Sequence, residues 1–326
     1  MNFAGQIARI QSAASDPRRL ALAVLDIILA AQPPELRRVV EAAAALRSFN
    51  EAALAAVLDE DLRGRAAHWL ELLKTLTAVE PAPSRDGWNV HENTRLALRE
   101  QLLTQQPDRL AELAGRACAF FSGPDVPGRI EHAYHLVLAD PAGSGPVLRA
   151  LNFDLQANPE HALALAAVLG EYLPPDGWPP ATRGWAAYFA SVNRAHFRPL
   201  QASLADAELA LACFQASDLA EGMACAHARL GDTLFERGLP GDAAAALGHY
   251  ERSLEVRERL LKANPESAAA ARDVSVSLNK LGDILARRGL PGDAAAALGH
   301  YERSLEVSER LLKANPESAA AARDVS

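Results

Sequence analysis

The chain has 326 residues, enough for two or three domains that each bury a core, so a disulfide mini-protein is excluded. Its 33 basic and 41 acidic residues give a formal charge of −8, which argues against nonspecific binding to a phosphate backbone. Hydrophobic residues make up 49% of the chain and aromatic residues only 6%. Runs of alanine supply much of the apolar content and favour helices over strands.

Cysteine usage and hydropathy set the expected compartment. Cys118, Cys213 and Cys225 are odd in number and widely spaced, which fits a reducing compartment and neither a disulfide framework nor a thiolate zinc site. No basic stretch leads into an apolar region at the N-terminus, and the longest apolar stretch, 20–31, is too short to span a bilayer. We therefore expect a cytoplasmic protein without a membrane partner.

Residues 1–34 are interpreted as an N-terminal helical segment, and residues 35–122 as a first domain. Apolar residues at helical spacing predict three helices in this domain, at 36–49, 51–58 and 62–76. The β-prone runs 75–80 and 87–91 then flank a proline-rich turn and predict a hairpin. Two more helices are predicted, at 92–103 and 107–121.

Residues 123–223 contain proline and glycine breaks at intervals that predict irregular helical hairpins. The densest aromatic cluster of the chain lies here and comprises Trp178, Trp185, Tyr188 and Phe189. At helical spacing such a cluster is typical of a core.

The last third of the chain is an internal repeat. Residues 224–274 and 275–325 align without a gap at a period of 51, and 41 of the 51 positions are identical. Each unit predicts two antiparallel helices joined by a Gly-Leu-Pro-Gly-Asp turn, in which the first glycine caps one helix and the aspartate is the N-cap of the next. Asn315 and Pro316 are predicted to end the last helix. Stacking such hairpins gives an all-α fold of the α-solenoid type.

The repeat resembles the tetratricopeptide family. The resemblance rests on Leu278, Leu281, Gly282 and Leu285 in the first helix and on Ala297, Tyr301, Ser304 and Leu305 in the second. It implies a scaffold whose first helices line a concave groove for a protein or peptide partner. The period exceeds the family's usual value of about 34 residues, so the helices are longer.

The residues upstream resemble a second family. Residues 36–40, 72–76 and 88–95 are similar to the winged-helix segment of bacterial signal-transducing NTPases of the NACHT and NB-ARC type, and 131–136 resembles the start of their helical sensor. The resemblance implies the arm and sensor regions without the motor, because the chain contains no GxxxxGK[ST] phosphate loop.

The ten differences between the repeats carry information of their own. Nine lie in the first helix, at 224–229, 233, 235 and 236, and one pairs Arg257 with Ser308. The divergence reflects either partner specificity or packing of the first unit against upstream helices. Residues 316–326 begin a third first helix, which predicts an array that continues or associates with itself through an apolar face.

Sequence motifs give no support for catalysis. Glu131, His132 and His135 could begin a metal site, but no further ligand lies nearby in sequence, and a hairpin contact is the alternative. His249 and His300 are repeat mates, which is typical of packing or surface roles. Without a GxSxG motif or a phosphate loop, we expect a protein that is not an enzyme and needs no cofactor.

The leading hypothesis is therefore a non-catalytic scaffold or sensor that binds a protein or peptide, such as a signalling NTPase or effector chain. The groove residues of both units lie away from the leucine seam and mix charged, amide and aromatic groups; they are Arg229, Asp232, Phe235, Glu236, Asn279, Lys280, Asp283 and Arg287.

Two alternatives remain. The first is a DNA-binding regulator that reads DNA with the third helix of the first domain. This helix offers Arg63 and Arg65, but the acidic run 59–61 precedes it and disfavours nucleic acid. The second is a regulatory subunit or fragment of a signalling NTPase that acts in trans.

Overall fold

The computed structural model describes residues 3–83, 87–174, 177–193 and 199–314 and is largely helical, as the composition predicts. The chain divides into two compact units. Unit 1 comprises Met1–Leu151 with Pro175–Trp178, and unit 2 comprises Asn152–Pro174 with Pro179–Ser326.

Unit 1 is built of helices with one small antiparallel sheet. Its elements, in chain order, are α1 (Phe3–Ala13), α2 (Pro17–Leu29), α3 (Pro34–Ala45), α4 (Glu51–Val57), α5 (Glu60–Arg63), α6 (Ala66–Lys74), β1 (Val79–Ala82), β2 (Gly87–Val90), α7 (Glu92–Gln105), α8 (Pro107–Phe120), α9 (Val126–Ala139) and the first part of α10 (Gly145–Leu155).

The predicted helices of unit 1 are present, with two corrections. Helix α3 ends at Ala45 instead of residue 49, because Phe49 is extended and exchanges two backbone hydrogen bonds with Trp88, at 2.7 and 2.8 Å. The helix predicted over 62–76 is divided into α5 and α6, and the break falls at Gly64, which has a low helix propensity. Periodicity alone predicted one continuous helix in each segment. Buried apolar residues continue at helical spacing past the point where each helix ends or breaks.

The predicted hairpin is present but shifted. Strand β1 begins at Val79, four residues later than predicted, because Thr75 still belongs to the end of α6 and donates its hydroxyl to the Leu72 carbonyl at 2.7 Å. The register pairs Val79 with Val90 and Ala82 with Gly87. Residues 84–86 of the predicted turn lie outside the described residues.

Unit 2 continues with helices only among its described residues. They are α11 (Pro159–Leu169) with a 3-10 turn at Gly170–Tyr172, α12 (Pro180–Asn193), α13 (Leu200–Ala216), α14 (Ala220–Arg237), α15 (Asp242–Ala263), α16 (Ala268–Arg288) and α17 (Asp293–Ala314). The last six form three antiparallel hairpins, and the second helix of each hairpin packs on the first helix of the next. The predicted all-α repeat fold is therefore confirmed. Asn315, Pro316 and the beginning of a third repeat lie outside the described residues.

The turns between repeat helices follow from glycine. Gly238 and Gly289 end α14 and α16 in the left-handed conformation, with φ of 66° and 65°, as predicted for a helix C-cap. The predicted N-cap is wrong, because Gly241, at φ 92°, occupies that position and Asp242 is the first helical residue. Asp242 instead accepts hydrogen bonds from the Leu239 amide and the Arg237 guanidinium, and so holds the turn closed.

Each repeat hairpin is closed by a tyrosine ring packed on a glycine. A Cβ atom placed on Gly231 would lie 2.6 Å from the Tyr250 ring, and one on Gly282 would lie 2.5 Å from the Tyr301 ring. Real Cβ atoms do not approach so closely, so any larger residue would force the facing helices apart. The small residue that the sequence analysis singled out therefore sets the distance between the two helices of a hairpin.

The Gly282→Ala variant should destabilise unit 2 by about 1–3 kcal/mol, since the added methyl group overlaps the Tyr301 ring. Gly299→Ala is the matched control, because Gly299 lies inside α17 with no atom within 4 Å of an added Cβ. The control should be neutral or stabilising by up to about 1 kcal/mol. Urea unfolding followed by circular dichroism measures both, and equal effects of the two variants would contradict the close contact.

Candidate recognition pocket

A pocket of about 400 Å³ opens between the first helices of the two repeats, α14 and α16. It combines charged side chains with aromatic ones and lies wholly within unit 2. Five of the eight groove residues predicted from the sequence line it, namely Asp232, Phe235, Lys280, Asp283 and Arg287.

One end of the pocket is organised around a lysine that crosses from the second repeat to the first. The Lys280 Nζ lies 2.5 Å from Asp232 Oδ1, and it also lies 5.7 Å from the centre of the Tyr250 ring. Tyr250 donates its hydroxyl to the same Asp232 oxygen at 2.7 Å. The ammonium group is therefore held by a carboxylate and by an aromatic face together.

The other end carries a guanidinium group on an aromatic platform. The Arg287 Cζ lies 5.1 Å from the centre of the Phe235 ring. Among the described residues no ion pair involves Arg287, so its planar donors remain available to an acceptor that enters the pocket. Stacking restricts the guanidinium and lowers the entropy lost when it binds.

Both tyrosines of the pocket are neutral donors. Burial, reinforced by the negative charge of Asp232, raises the pKa of Tyr250 well above its ordinary value. Burial also raises the pKa of Tyr301, whose hydroxyl is 2.7 Å from Asp283. Each hydroxyl therefore stays protonated and donates a hydrogen bond to the aspartate one residue after the hairpin glycine.

Three predicted groove residues lie outside the pocket. Arg229 turns toward the preceding hairpin and donates to Ser191 and Ser203, at distances of 2.8 to 3.0 Å. Glu236 and Asn279 are exposed beside the pocket and do not line it. Helical spacing assigned all of them to one surface because it could not show where the upstream hairpin packs.

Tyr250 and Tyr301 line the pocket but were not among the predicted groove residues. Helical spacing and the tetratricopeptide resemblance place Tyr301, and with it its repeat mate Tyr250, in the hairpin seam. Their rings do pack on glycines, but their hydroxyl ends reach the pocket. The tyrosine hydroxyl was the signal in the sequence that could have revealed this role. Leucine would fill the seam equally well, so a tyrosine there indicates that its polar end has a partner.

The divergence between repeats has a different cause at each end of the first helix. At the start of α14, residues 224–228 are buried and Arg229 binds the upstream hairpin, so the differences there serve packing. Near its end, Phe235 corresponds to Ala286 and Glu236 to Arg287. Phe235 and Arg287 meet in the pocket, so these differences make the pocket chemically distinct from the rest of the groove.

The candidate metal residues in unit 1 have other partners. Glu131 accepts from Arg47 at 2.8 Å, and the His132 Nδ1 lies 2.9 Å from the Cys118 carbonyl oxygen. His135 is fully buried and stacks on Phe121. No group of three His, Cys, Asp or Glu side chains suited to a metal occurs within 3–83, 87–174, 177–193 and 199–314.

The basic side chains of the segment predicted to read DNA have contacts within the protein. Arg63 donates to the Leu58 carbonyl, and the Arg65 guanidinium lies 4.7 Å from the centre of the Trp69 ring. On α6 the one basic side chain, Lys74, pairs with Glu71 at 2.6 Å. DNA binding by this segment stays a prediction, since phosphate contacts would have to compete with these contacts.

Cys118, Cys213 and Cys225 are buried, and burial raises the pKa of Cys118 and Cys213. Within the described part of the chain, no helix has both the length and the apolar character needed to cross a bilayer. No protein-family model and no curated protein matches the chain.

Two histidines on facing helices pair with each other in the first repeat hairpin. The Nδ1 atoms of His227 and His249 are 3.0 Å apart, so one ring donates and the other accepts. Burial, and then the nearby His249 and Arg252, lower the pKa of His227 to about 4, and burial also lowers the pKa of His249. Both rings are neutral at pH 7, and protonation would place two donors against each other.

Unit 2 should lose stability in mild acid through this pair. Because the pKa of His227 is lower in the folded state, the unfolded chain binds more protons below about pH 6.5. The contribution of the pair is therefore complete above pH 6.5 and falls by about 2–3 kcal/mol as the pH approaches 4.

The His227→Leu variant should remove most of this acid loss. The second repeat supplies the precedent, since Leu278 and His300 occupy the corresponding positions. Urea midpoints at pH 7.5 and pH 5 measure the difference for each protein. The same pH dependence in the variant and the parent would contradict the role of the pair.

Proposed function

We propose that unit 2 is a non-catalytic scaffold that binds a short segment of a protein partner in the pocket between α14 and α16. The single observation that carries the proposal is the meeting of Phe235 and Arg287, two residues from different repeats, at a pocket that also holds a carboxylate and a lysine. Aromatic side chains and arginine dominate the binding energy of protein interfaces, which supports this use of the pocket.

The size and polarity of the pocket support a peptide ligand. A volume of about 400 Å³ is near the lower end for ligand sites and accommodates one or two side chains. The aromatic ring of Phe235 offers apolar contact, and Arg287 offers a planar donor to a carboxylate or a backbone carbonyl. Asp283 is exposed at the rim and offers an acceptor of opposite charge.

The stacked hairpins support the tetratricopeptide-like role that the repeat motifs suggest. The hairpins stack in order, so an extended peptide segment would contact the first helices of both repeats at once. A signalling NTPase or an effector chain as the partner stays a prediction, and so does a cytoplasmic location.

Two substitutions test the pocket by placing in one repeat the residue of the other. Phe235→Ala introduces the residue of position 286, and Arg287→Glu introduces the residue of position 236. Arg310→Glu is the control, because Arg310 is an exposed arginine of α17 outside the pocket. All three sites are on repeat helices, so urea unfolding should first establish that each variant is folded.

The probe is a displayed library of random short peptides, selected on the full chain and then measured by fluorescence anisotropy. We expect each pocket substitution to lower the affinity for the enriched peptides by about tenfold or more. The control should leave this affinity unchanged. Peptides that bind all four proteins equally would contradict the proposal. A library without any enriched sequence would also contradict it.

A further inference from the structure

The two repeats differ in how much of their second helix is covered. Leu254 of α15 is 7% exposed, whereas its repeat mate Leu305 of α17 is 45% exposed. Leu247 is partly buried in the core cluster, while its mate Leu298 is 57% exposed. The sequences of the two helices are identical at these positions, so the difference comes from what packs on them.

The first repeat shows what this face binds. Helix α16 covers α15, and its Val274, Leu278 and Leu281 join the same buried cluster as Leu254. The cover is amphipathic, because Lys280 of the same helix reaches the Asp232 carboxylate and the Tyr250 ring. Apolar burial and one ammonium contact therefore fix α16 on the preceding hairpin.

The second repeat presents the same groups, and no described helix after α17 packs on them. Tyr301 donates to Asp283 at 2.7 Å, in the same arrangement as Tyr250 with Asp232. Asp283 is exposed, and no lysine or arginine pairs with it in the part of the chain that the structure describes. The carboxylate, the aromatic ring and the two exposed leucines thus reproduce the surface that holds α16.

The second helices of the two repeats, α15 and α17, differ at one position. Arg257 of α15 donates to the Asp273 carbonyl and to Ser277 of α16, at 3.1 and 2.6 Å. Its repeat mate Ser308 is buried inside its own hairpin, 3.0 Å from Ser275. The face of α17 therefore keeps the leucines, the carboxylate and the aromatic ring but lacks the arginine, which suits a helix that binds reversibly.

We propose that the face formed by Leu298, Leu305, Asp283 and Tyr301 docks an amphipathic helix of a partner protein. The helix carries an apolar seam with the spacing of Val274, Leu278 and Leu281, and a lysine at the position of Lys280. The lysine ammonium binds Asp283 and lies against the Tyr301 ring. This site shares Asp283 and Tyr301 with the pocket proposed above and extends beyond it, because Leu298 and Leu305 do not line that pocket.

The probe is a synthetic peptide with the sequence of residues 268–289, which is α16 itself, titrated against the full chain by fluorescence anisotropy. We expect saturable binding that Leu305→Asp weakens by at least tenfold. Leu290→Asp is the matched control, because Leu290 is equally exposed, at 54%, but lies in the turn before α17. Absence of binding, or equal loss in both variants, would overturn the proposal.

A charge exchange tests the lysine contact. Asp283→Lys in the chain should lower the affinity for the peptide by about fivefold. Lys280→Glu in the peptide should restore most of the lost affinity. A charge-reversed peptide that binds the variant no better than the original peptide would overturn the ammonium assignment. Phe235→Ala should leave peptide binding unchanged, which separates this site from the pocket.

Two further measurements decide between occupants. We expect the chain alone to sediment as a monomer, whereas a dimer dissociated by Leu305→Asp would assign the face to a second copy. Residues 319–326 have the sequence of 268–275, the first turns of α16. Deleting 315–326 should leave the peptide affinity unchanged, and a tenfold gain would assign the face to these residues and overturn the proposal.

Discussion

The contact between a tyrosine ring and a glycine of the facing helix sets the geometry of both repeat hairpins of unit 2. In each repeat hairpin the ring fills the space that a Cβ atom would occupy, and its hydroxyl then reaches the aspartate next to that glycine. The first aspartate in turn holds Lys280 of the following repeat. One close approach therefore links the packing within a hairpin to the stacking between hairpins and to the shape of the pocket.

The sequence was sufficient to predict the repeat architecture because its signals are local or periodic. The glycine C-cap at 289 and the apolar seam of α16 follow from backbone sterics and helical periodicity, and both are confirmed. The end of α3 could not be predicted in this way, because Phe49 leaves the helix to pair with a strand almost forty residues later. The N-cap prediction at Asp242 failed because the preceding glycine takes that position and frees the carboxylate for Arg237.

The candidate site was predicted in part for a related reason. Family geometry placed Asp232 and Lys280 on one surface, and the structure brings them into contact. Arg229 satisfied the same spacing but binds the upstream hairpin, a tertiary contact that no local pattern reveals. The comparison of the two repeats was the more informative guide, because positions 235 and 287 differ between the repeats and meet in the pocket.

The central claim is that the tyrosine and aspartate act as one unit which positions the next repeat. A double-mutant cycle with Tyr250→Phe and Asp232→Ala, followed by urea unfolding, tests it most directly. We expect a coupling of about 1–2 kcal/mol, since each single substitution already removes the half-buried hydrogen bond from Tyr250 to the Asp232 carboxylate. Additive effects of the two substitutions would contradict it.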